Sequence, residues 1–394
     1  MSAPKIKFAG LELKNPFVVA SGPVSSSLRK VKKCEEMGAA GVSLKLTLQK
    51  QPWKAQLRMY SIPGEVSIVC HDKRLDEDEG IELIRQTREE TDLIIFANMG
   101  HIGEDIEGWQ RLALELEKAG AHALELNLIC PNLTFAQKRM GQAISSSYGA
   151  AAGQNPEACY KIVKALKEVV KIPVIPKLTP NVGNIADTAI ACEEAGADGL
   201  CLAGGQSALP RVDIEHGGKP AYPLLDGASF GSLGGPVALT QSFALVAQAA
   251  RAVKIPIIGG GGLATWQDGV NFMMWGSTLV TACTEPMWRG FGVIRDIVDG
   301  MENFRANHGY KSYADMTGLS LEYLKASKEL KPDQGVAVID HDSCINCLNC
   351  VELGHCDAIT EKDGSPVVDE SLCVGCAICL EVCPVKCISM RMQG

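Results

Sequence analysis

The stretch Ala123-Leu124-Glu125-Leu126-Asn127-Leu128-Ile129-Cys130-Pro131-Asn132 decides the fold. Its first six residues have the length of one strand, and its last residues gather asparagine, cysteine and proline where the chain leaves that strand. Working outward, similar short apolar runs rich in branched side chains precede it at 16–22, 41–45 and 93–98. Four more follow, at 173–178, 199–202, 255–258 and 277–282. Runs apolar on both faces read as buried parallel strands. Between them lie segments of helical period, such as 105–119 and 156–170, and a Gly-Ala pair stands at 38–39, 120–121 and 196–197, where helices stop. Strand and helix alternating eight times predict a (β/α)8 TIM barrel, with a doubly wound open sheet as the less favoured alternative. A small hairpin around Gly10 is expected ahead of the barrel.

After about residue 305 the alternation breaks, and the chain closes on a different signature. Cys344, Cys347, Cys350 and Cys356 form one run, and Cys373, Cys376, Cys379 and Cys383 form a second, followed by Pro384. A C-x-x-C-x-x-C triplet sets three thiolates around one corner, and in two-cluster ferredoxins the fourth comes from the other run. This pattern predicts two [4Fe-4S] clusters, one on Cys344, Cys347, Cys350 and Cys383, the other on Cys373, Cys376, Cys379 and Cys356. Dense disulfides belong to short secreted chains, and zinc sites rarely show paired triplets. Five residues separate Cys350 from Cys356 where three are usual, which lengthens a loop without removing a ligand. Cys387 is a ninth cysteine and reads as a small buried hydrophobe. The expected organisation is therefore a barrel over 1–305, an extension over 306–335 and a ferredoxin-like domain over 336–394.

A hydrophobic content of 46% with 40 glycines fits a well-packed α/β protein. The formal net charge is −8, and residues 336–394 carry nine acids against three bases, a balance of −6. That sign disfavours nucleic acid as a partner. It is open between an ordinary solvated surface and steering toward a basic redox protein. No long apolar run suggests a membrane span, and the opening Met-Ser-Ala-Pro-Lys-Ile-Lys lacks a charged-then-apolar leader, so a cytoplasmic location is expected.

Barrels work at the carboxyl ends of their strands. There the chain offers Gly259-Gly260-Gly261-Gly262 after the seventh strand, Cys283-Thr284 after the eighth, and Gly234-Gly235-Pro236. Bare amides beside helix starts suit a phosphate, consistent with a phosphate-bearing flavin. Lys45 and Lys177 stand in apolar surroundings, where an unpaired ammonium is costly. Either a cofactor or an internal salt bridge with Glu125 would pair them. The long Gly/Ser/Ala-rich passage from Cys130 to about Asn155 has the length of an active-site lid. Cys130 at its base is placed to donate a proton, and Asn127 and Asn132 can each donate and accept hydrogen bonds. No G-x-G-x-x-G motif with a downstream acid marks a nicotinamide site.

Asn-Leu-Ile-Cys-Pro-Asn, Pro-Lys-Leu-Thr-Pro-Asn, the double glycine after strand seven and the cysteine cassette resemble the FMN-barrel and iron–sulfur half of the dihydropyrimidine dehydrogenase family. The barrel is also similar to class 1 dihydroorotate dehydrogenases. The resemblance spans essentially the whole chain. It implies that Ser21, Lys45, Asn127 and Lys177 contact FMN, with Gly235, Gly261, Gly262, Cys283 and Thr284 around its phosphate. It implies Cys130 as general acid/base, with Asn127 and Asn132 toward the substrate. The expected reaction interconverts a cyclic C=C bond, conjugated to a carbonyl-type acceptor, with its saturated form. Electrons are expected from ferredoxin or from an NAD(P)H-oxidising flavoprotein subunit, in a homodimer or hetero-oligomer.

Departures from the family pattern concern the substrate. Gly204-Gly205 stand where pyrimidine enzymes carry an asparagine–threonine pair, Gly103 falls near an expected asparagine, and Ile129 replaces a serine. These changes are expected to open space and remove amide-reading groups, favouring a carbocyclic or aromatic-derived ring over a standard pyrimidine. Uracil or thymine reduction, and a non-catalytic electron-transfer role, are the alternatives.

Overall fold

A computed structural model describes residues 4–49, 55–101, 105–130, 149–333 and 335–392. Eight parallel strands close a barrel in chain order: β1 Phe17–Val19, β2 Gly41–Ser43, β3 Ile94–Met99, β4 Ala123–Leu128, β5 Val174–Leu178, β6 Leu200–Ala203, β7 Ile257–Gly260 and β8 Leu279–Ala282. Closure is made by β8 on β1, with Val280 opposite Phe17. These strands are shielded by helices outside and packed side chains inside, which is why they read as continuous apolar runs. Lys45, expected within the second strand, lies two residues past its end.

The Gly-Ala pairs act through backbone geometry. Gly120 takes a left-handed φ of 108°, its N–H reaches the Glu117 carbonyl, and the Ala121 N–H reaches back to Leu116. The same double closure recurs at Gly38-Ala39 and Gly196-Ala197. Only glycine enters this conformation cheaply, so each pair both ends a helix and turns the chain into the next strand. Helix starts are set as locally: Asn155 caps Pro156–Lys167 by accepting the Glu157 and Ala158 N–H groups. The hairpin of Ile6–Phe8 with Leu11–Leu13 places Phe8 edge-on to Phe96, with ring centroids 6.2 Å apart.

Two insertions build a wall that is not part of the barrel. Arg58–Ile62 and Val66–His71 follow β2, while Ser207–Ala208 and Gly231–Gly234 follow β6, and together they form one four-stranded antiparallel sheet. Leu233 pairs with Ile68 across the join.

The chain divides into two compact units, 1–323 and 324–394, with the boundary inside the stretch read from sequence as an extension. In the second unit Gly335–Ile339 pairs with Ile388–Met392, and Ile359–Lys362 with Ser365–Val368. Its small core combines Ala337, Ile339, Ile359 and Ile388 with Cys350, Cys379, Cys383 and Cys387. Among the described residues no helix is long and apolar enough to cross a membrane.

Candidate active site

A pocket of about 1140 Å³, counting the part open to solvent, sits at the carboxyl ends of the strands and against the inserted sheet. Ser21, Lys45, Asn127, Cys130, Lys177, Gly235, Gly261, Gly262, Cys283 and Thr284 all line it. Asn132 and Gly103, and the long passage 131–148, lie outside the described residues.

At one end glycine is sterically required. A Cβ on Gly261 would stand 2.5 Å from Ser242 Oγ and 2.6 Å from the Gly204 nitrogen, and one on Gly262 2.6 Å from the Leu239 nitrogen. Both have left-handed φ, 95° and 86°. Leu239–Ala252 begins there, directly after the turn Pro236–Ala238, whose Pro236 carbonyl accepts the Leu239 N–H. Gly22 is bare for a related reason, since a Cβ would meet Cys283 Sγ at 2.3 Å. Burial pushes the Cys283 thiol above its ordinary pKa, although Lys45 and Lys177 pull it down. Thr284 Oγ1 lies 3.4 Å from Ser67 Oγ of the wall.

Toward the centre stand two buried lysines. Lys177 is held by Glu125, Nζ to Oε2 3.6 Å. Burial alone would lower the Lys177 pKa, and Glu125, with Cys201 and Cys283 nearby, more than reverses it, so the ammonium is held above its ordinary value. Glu125 also accepts Ser43 Oγ at 2.5 Å and the Asn98 side-chain amide. Lys45 pairs instead with Asp72 of the inserted segment. Burial pulls Lys45 below its ordinary value; Asp72 opposes this, and the charge of Arg74, 3.9 Å from the same carboxylate, adds to it. A salt bridge to Glu125 thus holds for Lys177, while the partner of Lys45 is an acid that sequence reading missed.

Glu125 and Asn127, two apart, share a strand face. Asn127 Nδ2 donates to Asn98 Oδ1 at 3.1 Å, and its Oδ1 accepts the Cys130 N–H at 3.1 Å. Lys177, Glu125, Asn98, Asn127 and Cys130 therefore form one polar line across three strands. Arg74 donates to Cys130 Sγ at 3.3 Å. Asp72, Arg74, Asn98 and Ser43 are the site residues sequence reading did not pick out.

The double glycine corrects an expectation. A Cβ on Gly205 would stand 2.5 Å from Ile129 Cγ1, so the space left by the missing side chain is filled by Ile129. Gly204-Gly205 and Ile129 make an apolar surface, not an opening. Asn181 of the Pro-Lys-Leu-Thr-Pro-Asn motif fixes it, donating to the Gly205 carbonyl at 3.1 Å and accepting the Ser207 N–H at 2.9 Å.

In the second unit the two cysteine runs share one backbone plan. Asn346 and Leu348 have φ of 51° and 59°, and Gly375 and Ala377, at the same offsets from Cys373, have 72° and 62°. Left-handed residues in such turns aim N–H groups inward at anionic groups. Burial, and then the charges of Cys344, Cys347 and Cys383, push the Cys350 thiol up, and burial with Cys376 and Cys373 does the same to Cys379. Cys387 is buried, its Sγ 3.5 Å from Cys383 Sγ. Paired thiol runs in matching left-handed turns, each with a backbone N–H on its first sulfur, suit a cubane, and a glycine cradle with buried ammonium groups suits a flavin phosphate and ring.

A barrel with this cradle joined to paired cysteine runs defines a flavin and iron–sulfur oxidoreductase acting on CH–CH bonds. The chain belongs to the dihydroorotate dehydrogenase family, whose model matches residues 4–304, and a 4Fe-4S dicluster domain matches 337–390. Its cofactors are FMN and two [4Fe-4S] clusters. It is 28% identical to the NAD-dependent dihydropyrimidine dehydrogenase subunit PreA of Escherichia coli (strain K12), over 98% of this chain and 94% of that one. It is 32% identical to the dihydroorotate dehydrogenase B (NAD(+)) catalytic subunit of Pyrococcus abyssi, over 81% of this chain and 99% of that one. The corresponding Methanothermobacter thermautotrophicus subunit is 30% identical over 79% of this chain and 96% of its own.

Proposed function

We propose that this chain interconverts a cyclic C=C bond conjugated to a carbonyl-type acceptor with its saturated form, with Cys130 as general acid/base. The observation that carries this reading is the Cys130 thiol on the pocket, its backbone N–H held by Asn127 at the end of the polar line from Lys177 and its sulfur accepting from Arg74. A subunit that only relayed electrons would need no such thiol. When bound, FMN supplies hydride exchange with carbon and the clusters supply single electrons. Gly235, Gly261, Gly262, Cys283 and Thr284 hold the phosphate, while Ser21, Lys45, Asn127 and Lys177 face the ring. In reduction the Cys130 S–H bond breaks and its proton goes to the substrate α-carbon; in oxidation the thiolate takes it back. Asn127 fixes the Cys130 backbone, and Arg74 donates to the sulfur and steadies the thiolate. On the substrate side, Asn127 and Asn132 supply polar contacts. Cys344, Cys347, Cys350 and Cys383 ligate one cluster, and Cys373, Cys376, Cys379 and Cys356 the other.

The apolar contact of Ile129 with Gly205 supports a carbocyclic or aromatic-derived ring over a standard pyrimidine. Uracil or thymine reduction is the second reading, favoured by the name of the Escherichia coli relative. Electrons come from ferredoxin or an NAD(P)H-oxidising flavoprotein subunit in a hetero-oligomer, a reading supported by relatives named as subunits of NAD-linked enzymes. Sixteen cysteines without a disulfide among the described residues suit a reducing cytoplasm.

The test is anaerobic photoreduction of the full chain followed by cyclic enones, unsaturated ring acids, uracil and thymine, read by return of the oxidised flavin band. A carbocyclic compound should reoxidise the flavin faster than either pyrimidine. Cys130→Ala should slow that step by about 10²–10⁴-fold while FMN and iron content stay at wild-type levels. Fastest reoxidation by uracil would replace the substrate reading, and none by any small molecule would favour the relay.

A further inference from the structure

The five residues between Cys350 and Cys356 lengthen a ligand loop, and their last member has a partner. His355 Nε2 lies 3.1 Å from Cys376 Sγ, although the two are 21 residues apart. Cys376 belongs to the opposite run, in the middle of its triplet. The longer loop therefore carries a side-chain N–H from the first run onto a thiol of the second. Other contacts to cluster thiols are of different kinds: Asn346 N–H reaches Cys344 Sγ and Ala337 N–H reaches Cys373 Sγ from the backbone, each at 3.4 Å, and Cys387 Sγ lies 3.5 Å from Cys383 Sγ, whereas His355 brings an imidazole nitrogen.

We infer that His355 is a positioning residue that donates a hydrogen bond to the Cys376 thiolate and raises the reduction potential of the cluster on Cys373, Cys376, Cys379 and Cys356 above the value its cysteines alone would give. The physical reason is charge. Reducing a [4Fe-4S] cluster by one electron adds negative charge that spreads onto the ligand sulfurs. A donor already aimed at one sulfur stabilises the reduced state more than the oxidised one, and hydrogen bonds to cluster sulfurs are a known lever on potential. With Nε2 protonated, the imidazole supplies that donor as a neutral group. His355 and Cys376 are both exposed, so water competes for the sulfur when the imidazole is removed. Water is a freely rotating donor, and a fixed N–H does more.

The consequence is an asymmetry between two otherwise similar clusters. Both runs repeat the same left-handed turns, yet His355 sits on one alone. The cluster it serves is held more easily reduced than it would be without the imidazole. This inference rests on the cysteine assignment proposed above and is independent of the substrate.

The experiment is an anaerobic redox titration of the full chain, followed by electron paramagnetic resonance at one fixed pH, with His355→Leu and His355→Gln beside wild type. Iron and sulfide content is measured on each. In His355→Leu one of the two reduction waves should move to more negative potential while the other stays. His355→Gln, which keeps an N–H of similar reach, should recover part of the shift. Unchanged waves in His355→Leu, or both waves moving together, would overturn the inference. Loss of iron equal to one cluster in both variants would also overturn it, because His355 would then hold the cluster and not tune it. Intact iron with neither wave moved separates this failure from an error in the cysteine assignment, which would appear in the iron content of cysteine variants.

Discussion

Glu125→Gln removes the charge that holds Lys177 without changing the shape of the side chain. Lys177 and Glu125 are 6% and 3% exposed, and their charged atoms lie 3.6 Å apart. Coulomb's law at that distance with an effective dielectric of about 20 gives about 4.6 kcal/mol. Measured losses for breaking a buried pair run about 3–5 kcal/mol. Glutamine still offers one oxygen to Ser43 or Asn98, so the expected destabilisation is about 3–4 kcal/mol at neutral pH. All five tryptophans fall within residues 1–323, so tryptophan fluorescence during urea unfolding reports the barrel unit.

The pH dependence supplies the sharper check. In the wild type Lys177 is held above its ordinary value, so its contribution is fully present through neutral and mildly alkaline pH and is lost only as pH rises through the raised pKa. In the variant the carboxylate no longer offsets burial, the largest influence on Lys177, which pulls the pKa below that of the unfolded chain. The folded variant then sheds its proton first as pH rises, and stability increases because the unfolded state binds more protons. The gap between wild type and variant should therefore narrow from pH 7 toward pH 10. A loss below about 1 kcal/mol, or a gap that stays constant with pH, would refute the buried-pair reasoning.

Gly262→Ala places a Cβ 2.6 Å from the Leu239 nitrogen at a φ of 86°. Left-handed strain of about 1–2 kcal/mol, with overpacking of about 1–3 kcal/mol, should weaken FMN binding by at least tenfold, read by flavin fluorescence titration. His122 is lowered to about 4 by burial and by neighbouring Arg88, and its Nδ1 accepts the Ile95 N–H at 2.9 Å. A histidine whose folded pKa is depressed loses stability as pH falls from its ordinary value toward about 4, because the unfolded chain protonates first. The urea midpoint should drop across that window, and His122→Gln should flatten the drop.

The barrel was legible because its strands are buried on both faces, which writes them as uninterrupted apolar runs, and because Gly-Ala stops punctuate three helices. The cysteine runs were legible by spacing alone. Asp72 and Arg74 were not. They follow a strand whose residues pair with Gly231–Gly234 far along the chain, and a charged run such as His71-Asp72-Lys73-Arg74 carries no local sign of being folded over a pocket. Ile129 showed the same limit from the other side. Its isoleucine and the glycine at 205 were each readable, but that one fills the space above the other depends on two loops meeting.

The inserted sheet has a consequence for how such a pocket changes. The barrel can close and keep its cradle whatever residues Ser67, Val69, Ser232 and Leu233 become, since none of them belongs to a barrel strand. Yet the two insertions are zipped to each other through Leu233 and Ile68, so a change of ring specificity must be written twice, once after β2 and once after β6. A substitution on one side alone meets an unaltered partner. New substrates should therefore be reached by compensating pairs across that zipper, with the cofactor end left untouched.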